Sequence, residues 1–280
     1  MDINWYPGHM TGAKRKMQED IKLCDVVIEL LDSRIPRGSK NPDLTTLAAQ
    51  KKRVLILNKA DMADDEITRQ WKKYYEDEGY YVVLMDSRNR KQTLKITDVV
   101  RTACKDKIER DKKRGIIAPR PIKAMVAGIP NVGKSTFINS YVGKATAKTG
   151  NKPGVTRGNQ WIRISKDINL LDTPGILWPK IESEETGLSL AFIGSINDNI
   201  LELTELAYRM IIRVEELYPG CVLKYYELDD SEVKEDILYK IAEYKKCVKK
   251  GSEPDIEKTS KLVIDDLRQG RLGRLSLEKP

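Results

Sequence analysis

The sequence predicts an α/β fold in which a mixed, mostly parallel sheet carries helices on both faces and is followed by a small all-α segment. Three observations carry that expectation. Between about residues 26 and 171, short apolar runs of strand length alternate with segments of helical periodicity, the order that parallel strands and crossover helices produce. A glycine-rich turn at 128–135 separates one such run from one such helix. From residue 188 onward, apolar residues recur at helical spacing: Ile200, Leu203, Leu206, Ala207, Met210 and Ile211, then Val233, Ile237, Ile241 and Tyr244, then Leu262, Val263, Ile264 and Leu267.

Taken in order, Trp5-Tyr6-Pro7-Gly8-His9-Met10 opens the chain with aromatics and a Pro-Gly turn, and a helix bearing Lys14, Arg15 and Lys16 is expected from about residue 11. Residues 26–32 read as a buried strand ending in an acidic turn, 42–49 as a short helix, and 54–57 as a second strand. A helix over about 65–78, a strand over 81–85 and a helix over about 92–107 follow. The basic stretch 110–120, closed by Pro119 and Pro121, reads as a linker into a strand at 122–127 and a helix at 135–141. Residues 144–158 are polar and rich in Gly and Pro, the profile of a mobile loop, and 160–164 and 168–171 are expected as adjacent strands. The division expected is 1–187 for the α/β unit and 188–280 for the helical one.

Composition narrows the function classes. At 280 residues the chain suits one large or two ordinary domains, and 40% hydrophobic with 33% charged residues suits a soluble protein with a charged surface. Lys and Arg number 50 against 42 Asp and Glu, a net +8 that fits a polyanionic partner or simply a solvated basic surface. Cys24, Cys104, Cys221 and Cys247 are scattered and His9 is the sole histidine, so a zinc site or a disulfide framework is not expected and reduced thiols point to a cytosolic setting. No apolar run approaches the length of a membrane span and no signal peptide is expected.

The turn Gly128-Ile129-Pro130-Asn131-Val132-Gly133-Lys134-Ser135 has the spacing of a phosphate-binding loop. Glycines leave room for successive N–H groups, including those of Asn131, Val132, Gly133 and Thr136, to face anionic oxygens; Lys134 supplies a point charge and Ser135 a hydroxyl for Mg²⁺. A second motif, Asn58-Lys59-Ala60-Asp61, stands at the end of an apolar strand. Guanine offers N1–H and its exocyclic amino group as adjacent donors, so the Asp61 carboxylate would accept both, whereas adenine would oppose it with a lone pair. Asn58 suits the base N7 and the tying of loops, and the Lys59 stem can lie over the ring. Asp86 and Ser87, at the end of the next strand, stand where a backbone N–H could meet the guanine carbonyl; only Ser87 fits the residue pattern of that contact, and an ordinary turn stays open. Thr156 and Asp172-Thr173-Pro174-Gly175 complete the set: Thr156 and Asp172 for Mg²⁺, the Thr156 and Gly175 N–H groups for a γ-phosphate.

Base recognition precedes phosphate recognition along the chain, and in that order the sequence resembles the circularly permuted GTPases, in particular those of ribosome assembly. The resemblance rests on Trp5-Tyr6-Pro7-Gly8-His9-Met10, Asp172-Thr173-Pro174-Gly175-Ile176-Leu177-Trp178-Pro179 and the helical C-terminal segment. It implies a circularly permuted P-loop GTPase domain, GTP as substrate, Mg²⁺, and a cytoplasmic protein that binds the large ribosomal subunit, through rRNA and ribosomal proteins, in the GTP state late in assembly. A membrane or DNA partner is not implied. A nucleotide-gated rRNA-binding scaffold, with hydrolysis incidental, stays open as the alternative.

Ile176 occupies the position where many GTPases carry a water-orienting Gln, so either another group positions the water or hydrolysis is very slow; with the resemblance, turnover is expected to be slow alone and stimulated by the ribosomal subunit. His9 is the candidate for positioning water, or else packs against Trp5 or caps the following helix. Asn131 stands where potassium-activated GTPases ligate K⁺, or is there for its turn conformation. Lys245, Lys246, Lys249, Lys250, Arg268, Arg271 and Arg274 are expected on polar faces that suit RNA phosphates or, with Glu and Asp interleaved, are simply solvated.

Overall fold

Strands with no alternation of polar and apolar residues are buried on both faces, and the architecture follows from that. The structure, a computed structural model, describes residues 10–116, 120–144, 160–173, 175, 177, 178, 181, 183–228 and 237–280. The described elements begin with α1 (Met10–Leu23), β1 (Val26–Asp32), α2 (Pro42–Leu47), β2 (Lys52–Asn58), α3 (Asp65–Asp77) and β3 (Tyr81–Met85). They continue with α4 (Arg90–Leu94), α5 (Ile96–Ala103), α6 (Lys105–Lys113), β4 (Ile122–Gly128), α7 (Lys134–Val142), β5 (Gln160–Arg163) and β6 (Ile168–Asp172). The C-terminal helices are α8 (Glu184–Phe192), α9 (Leu203–Leu217), α10 (Cys221–Tyr225), α11 (Ile237–Tyr244) and α12 (Ile256–Arg268).

The strands form one six-stranded sheet in the order β3-β2-β1-β4-β6-β5, parallel throughout except for the β5–β6 pair. Side chains alternate between two buried layers. Val26, Ile28, Leu30, Val54, Ile56, Ala124 and Val126 pack with Ile96 and Val100 of α5 and Phe137 and Ile138 of α7. That layer runs without a break into Leu206, Met210, Val263 and Ile264 of the C-terminal helices. On the other face, Val27, Met125 and Leu171 meet Met17 and Ile21 of α1, while Leu31, Leu55 and Leu57 meet Trp71 and Tyr75 of α3. One charged pair is sunk in the sheet: Glu29 accepts from Arg53 and from the Asn41 N–H, so both carboxylate oxygens are bonded.

Two expectations need correction. The helix anticipated at about 92–107 is three helices, α4, α5 and α6, broken at Lys95 and Cys104, and α6 continues into the stretch read as linker. Asn89 caps α4 by accepting from the Lys91 and Gln92 N–H groups, which starts a helix earlier than the apolar pattern shows. Arg268, Arg271 and Arg274 are bound within the fold rather than held out for a polyanion: Arg268 pairs with Asp198, Arg271 with Asp266, and Arg274 with Asp65. Of the lysines named with them, Lys245 lies over the rings of Tyr225, Tyr226 and Tyr244, and Lys246, Lys249 and Lys250 are exposed.

Candidate functional site

Parallel strands aim their carboxyl ends at one edge, and there the chemistry-bearing residues gather. Asp32, Asn58, Gly128 and Asp172 are the last residues of β1, β2, β4 and β6, with Asp32 in register with Asn58 and Val126 with Asp172. Chain order runs outward in one direction through β1, β2 and β3 and in the other from β4, so a crevice opens at the carboxyl edge beside β1 and β4.

The loop after β4 has the geometry that its glycines require. Gly133, with φ of 100°, caps α7, and a Cβ there would run into the Asn58 side-chain amide. Lys134 is 7% exposed and donates to the Gly128 and Ile129 carbonyls, each at 3.0 Å. Burial pushes its ammonium down to about 8, against the pull of Asp172. Ser135 and Thr136 are half-buried in the first turn of α7. Gly175 passes close above the loop: a Cβ would stand 2.7 Å from Lys134 Nζ and 3.0 Å from Pro130 Cα. Asp172 is buried, and its Oδ1 has no hydrogen-bond partner among the described residues; burial raises its carboxyl, with Lys134 acting the other way. An unpartnered buried carboxylate oxygen beside a hydroxyl-bearing helix start is a donor set suited to a hard divalent cation such as Mg²⁺.

The second motif is joined to that loop directly. Asn58 Nδ2 donates to the Val132 carbonyl at 2.7 Å, while its Oδ1 accepts from the Ser87 N–H at 3.1 Å and the Ser87 hydroxyl at 2.7 Å. The Ser87 N–H, expected to meet a guanine carbonyl, is bonded in this structure to the Asn58 amide oxygen. Lys59 adopts a left-handed conformation, φ 57°, which turns its ammonium toward the Asn131 carbonyl at 2.9 Å and Asp32 Oδ2 at 3.0 Å. Asp61 follows in a single 3-10 turn, 60–62, and accepts from Arg88 Nη2 at 2.6 Å. Arg88 also binds Asp86, its Nε to Oδ1 at 2.9 Å, while the Asp86 N–H donates to Gln92 Oε1 at 2.8 Å. The Ala60 carbonyl accepts from Arg274 at 2.8 Å.

Three participants escaped the sequence motifs. Asp32 accepts from Arg34 Nε and Nη2 at 2.9 and 2.8 Å as well as from Lys59. Burial works to raise its carboxyl, yet Arg34 and Lys59 hold it well below the usual carboxylate range. Ser195 donates to the Pro130 carbonyl at 2.9 Å and Asn131 Nδ2 to the Gly194 carbonyl at 2.6 Å, so the segment after α8 grips the phosphate loop. Arg274 is the third. The only forward hint was the acidic end of β1. His9, Thr156 and Ile176 lie outside the described residues.

A family model described as "50S ribosome-binding GTPase" matches residues 123–240. Over its full length the chain is 43% identical to ribosome biogenesis GTPase A of Bacillus cereus and covers 95% of that protein. The chain belongs to that family. It is also 42% identical to the Bacillus licheniformis member, with 100% of this chain and 99% of that protein covered. Among solved structures, GDP-bound YlqF matches 95% of this chain and 99% of its own with a TM-score of 0.67 at 27% identity. GNP-bound YlqF from T. maritima matches 96% and 98% with the same TM-score, 0.67, at 26% identity. The α/β unit is thus a circularly permuted P-loop GTPase domain, with helices C-terminal to it.

Proposed function

We propose that the chain hydrolyses GTP as an assembly factor that binds the large ribosomal subunit in the GTP state during late maturation and leaves after hydrolysis. One observation carries the reading: Asn58 and Lys59 bond directly to Val132 and Asn131, so the base-reading and phosphate-gripping turns form one continuous lining. Asp61 takes the guanine donor edge, the Lys59 stem lies along the ring, and the 131–136 N–H groups with Lys134 hold the phosphates. Ser135 and Asp172, with Thr156, would hold Mg²⁺, which when bound neutralises charge on the β- and γ-phosphates. The Gly175 N–H meets the γ-phosphate. Asn131 would serve K⁺ through its amide oxygen, since its nitrogen is bonded to Gly194. His9 is the candidate for orienting water. Exposed Lys246, Lys249 and Lys250 on the C-terminal unit, 188–280, suit rRNA phosphates. We place the protein in the cytoplasm; no described helix is long and apolar enough to cross a membrane.

Co-sedimentation with large ribosomal subunits is expected with a non-hydrolysable GTP analogue and to fall at least about tenfold with GDP, a coupling of ordinary size for a nucleotide switch. Equal pelleting in the GTP-analogue, GDP and nucleotide-free states would overturn the release cycle.

The buried lysine makes a pH prediction. With its ammonium down at about 8, Lys134 is largely neutral above that pH, while bound phosphates favour its charged form. Nucleotide binding therefore takes up a proton above pH 8: affinity is flat below that value and falls as pH rises, by up to about tenfold per unit. Calorimetric titration of GDP at pH 8.5 in two buffers of different ionisation enthalpy checks it, and no proton uptake would refute it.

A further inference from the structure

Several backbone groups of the turn that carries Asp61 are bonded across the fold. Their partners come from the last residues of the chain. Arg274 Nη2 donates to the Ala60 carbonyl at 2.8 Å and its Nε to the Ala63 carbonyl at 3.0 Å. The Leu275 N–H donates to the Met62 carbonyl at 3.0 Å, and the Ser276 hydroxyl accepts from the Asp64 N–H at 3.2 Å. Arg274 also pairs with Asp65 at the start of α3. Leu272, Leu275 and Leu277 are buried, which seats the strap, and the Leu277 N–H reaches the Arg34 carbonyl at 2.8 Å.

A 3-10 turn has poorer hydrogen-bond geometry than an α-helix and little internal stiffness. A guanidinium fork that spans carbonyls on both sides of Asp61 supplies the stiffness from outside, because its planar donors fix direction as well as distance. We propose that Arg274 is a positioning residue for guanine recognition: by holding the Ala60 and Ala63 carbonyls it fixes the turn that aims Asp61 at the base. The inference rests on the reading of Asp61 as the acceptor of the guanine edge. It also makes the C-terminal strap part of base selection, although it lies more than 200 residues from the motif it supports.

The test compares GDP with IDP, which differs only in lacking the exocyclic amino group, so the ratio of their affinities reads the bidentate contact of Asp61 and little else. Arg274→Ala is expected to lower the GDP-over-IDP ratio by about three- to tenfold, the size of a weakened hydrogen bond to a charged group, with IDP affinity changed far less. Asp65→Ala removes the ion pair but keeps the carbonyl bonds, and the ratio should stay near that of the unaltered protein. Should Arg274→Ala fail to fold, Arg274→Lys keeps the charge but cannot span two carbonyls, and it should lower the ratio too. Equal loss of GDP and IDP affinity would make Arg274 merely structural and overturn the proposal. Asp61→Ala is the control: if it leaves the ratio unchanged, the base-reading assignment itself fails, whatever Arg274 does.

Discussion

Replacing Asp61 by Asn is expected to convert a guanine-nucleotide site into a xanthine-nucleotide site. The carboxylate accepts two hydrogen bonds from guanine; an amide accepts one and donates one, which matches a ring bearing a carbonyl where guanine has its amino group. A site built around hydrogen bonds rejects the wrong partner strongly because a buried polar group is left unpaired, so GDP affinity should fall by roughly 10²- to 10⁴-fold while XDP affinity rises. The fold should tolerate the change. Asp61 is only partly buried and its bond to Arg88 is of the exposed kind, contributing about 0–1 kcal/mol, and Arg88 keeps its contacts with Asp86. Fluorescence titration with labelled GDP and XDP, alongside a thermal melt, checks both statements. Unchanged GDP affinity would remove Asp61 from base recognition.

Asn58→Ala is the companion case, in which stability and binding are lost together. The Asn58 amide is 2% exposed and bonds the Val132 carbonyl, the Ser87 N–H and the Ser87 hydroxyl. Truncation leaves those groups without the partner they now have, in a place water reaches poorly. At about 1–3 kcal/mol for each buried group left unsatisfied, a total near 2–4 kcal/mol is expected after partial relaxation. Urea denaturation would show the midpoint moving with an unchanged slope, and GDP affinity would drop because the two turns are no longer held in register. A destabilisation below about 1 kcal/mol would mean that the amide bridges are dispensable.

The parts of this architecture that the sequence made legible are those with a local signature. Each parallel strand is a short apolar run because it is covered on both faces, and Val26 to Asp32 shows it with no polar side chain except Glu29 before the end. The phosphate loop and the Asn58–Asp61 turn were legible because backbone geometry demands particular residues at fixed spacing. Helix breaks at Lys95 and Cys104 were not, since an apolar rhythm reads straight across a kink that costs it no residue. Least visible was the role of Arg274. Its partners at Ala60 and Ala63 are backbone carbonyls, which carry no trace in residue identity, so a basic residue in a Gly-punctuated tail reads as a surface charge. Asp32 stood in plain sight at the end of β1, but its partnership with Lys59 depends on strand register, and that is a property of the assembled sheet.

Asp32 also has a bearing on how the molecule can change over time. One carboxylate balances both Lys59, which reaches the phosphate loop, and Arg34, whose Nη1 donates to the Leu267 carbonyl at the end of α12 at 3.2 Å. Losing that single anion would strand two cations in a poorly hydrated interior, each repelling the other. Neither ligand chemistry nor the attachment of α12 can therefore drift independently at this spot. A substitution at Asp32 is felt at the phosphate loop and at α12 together.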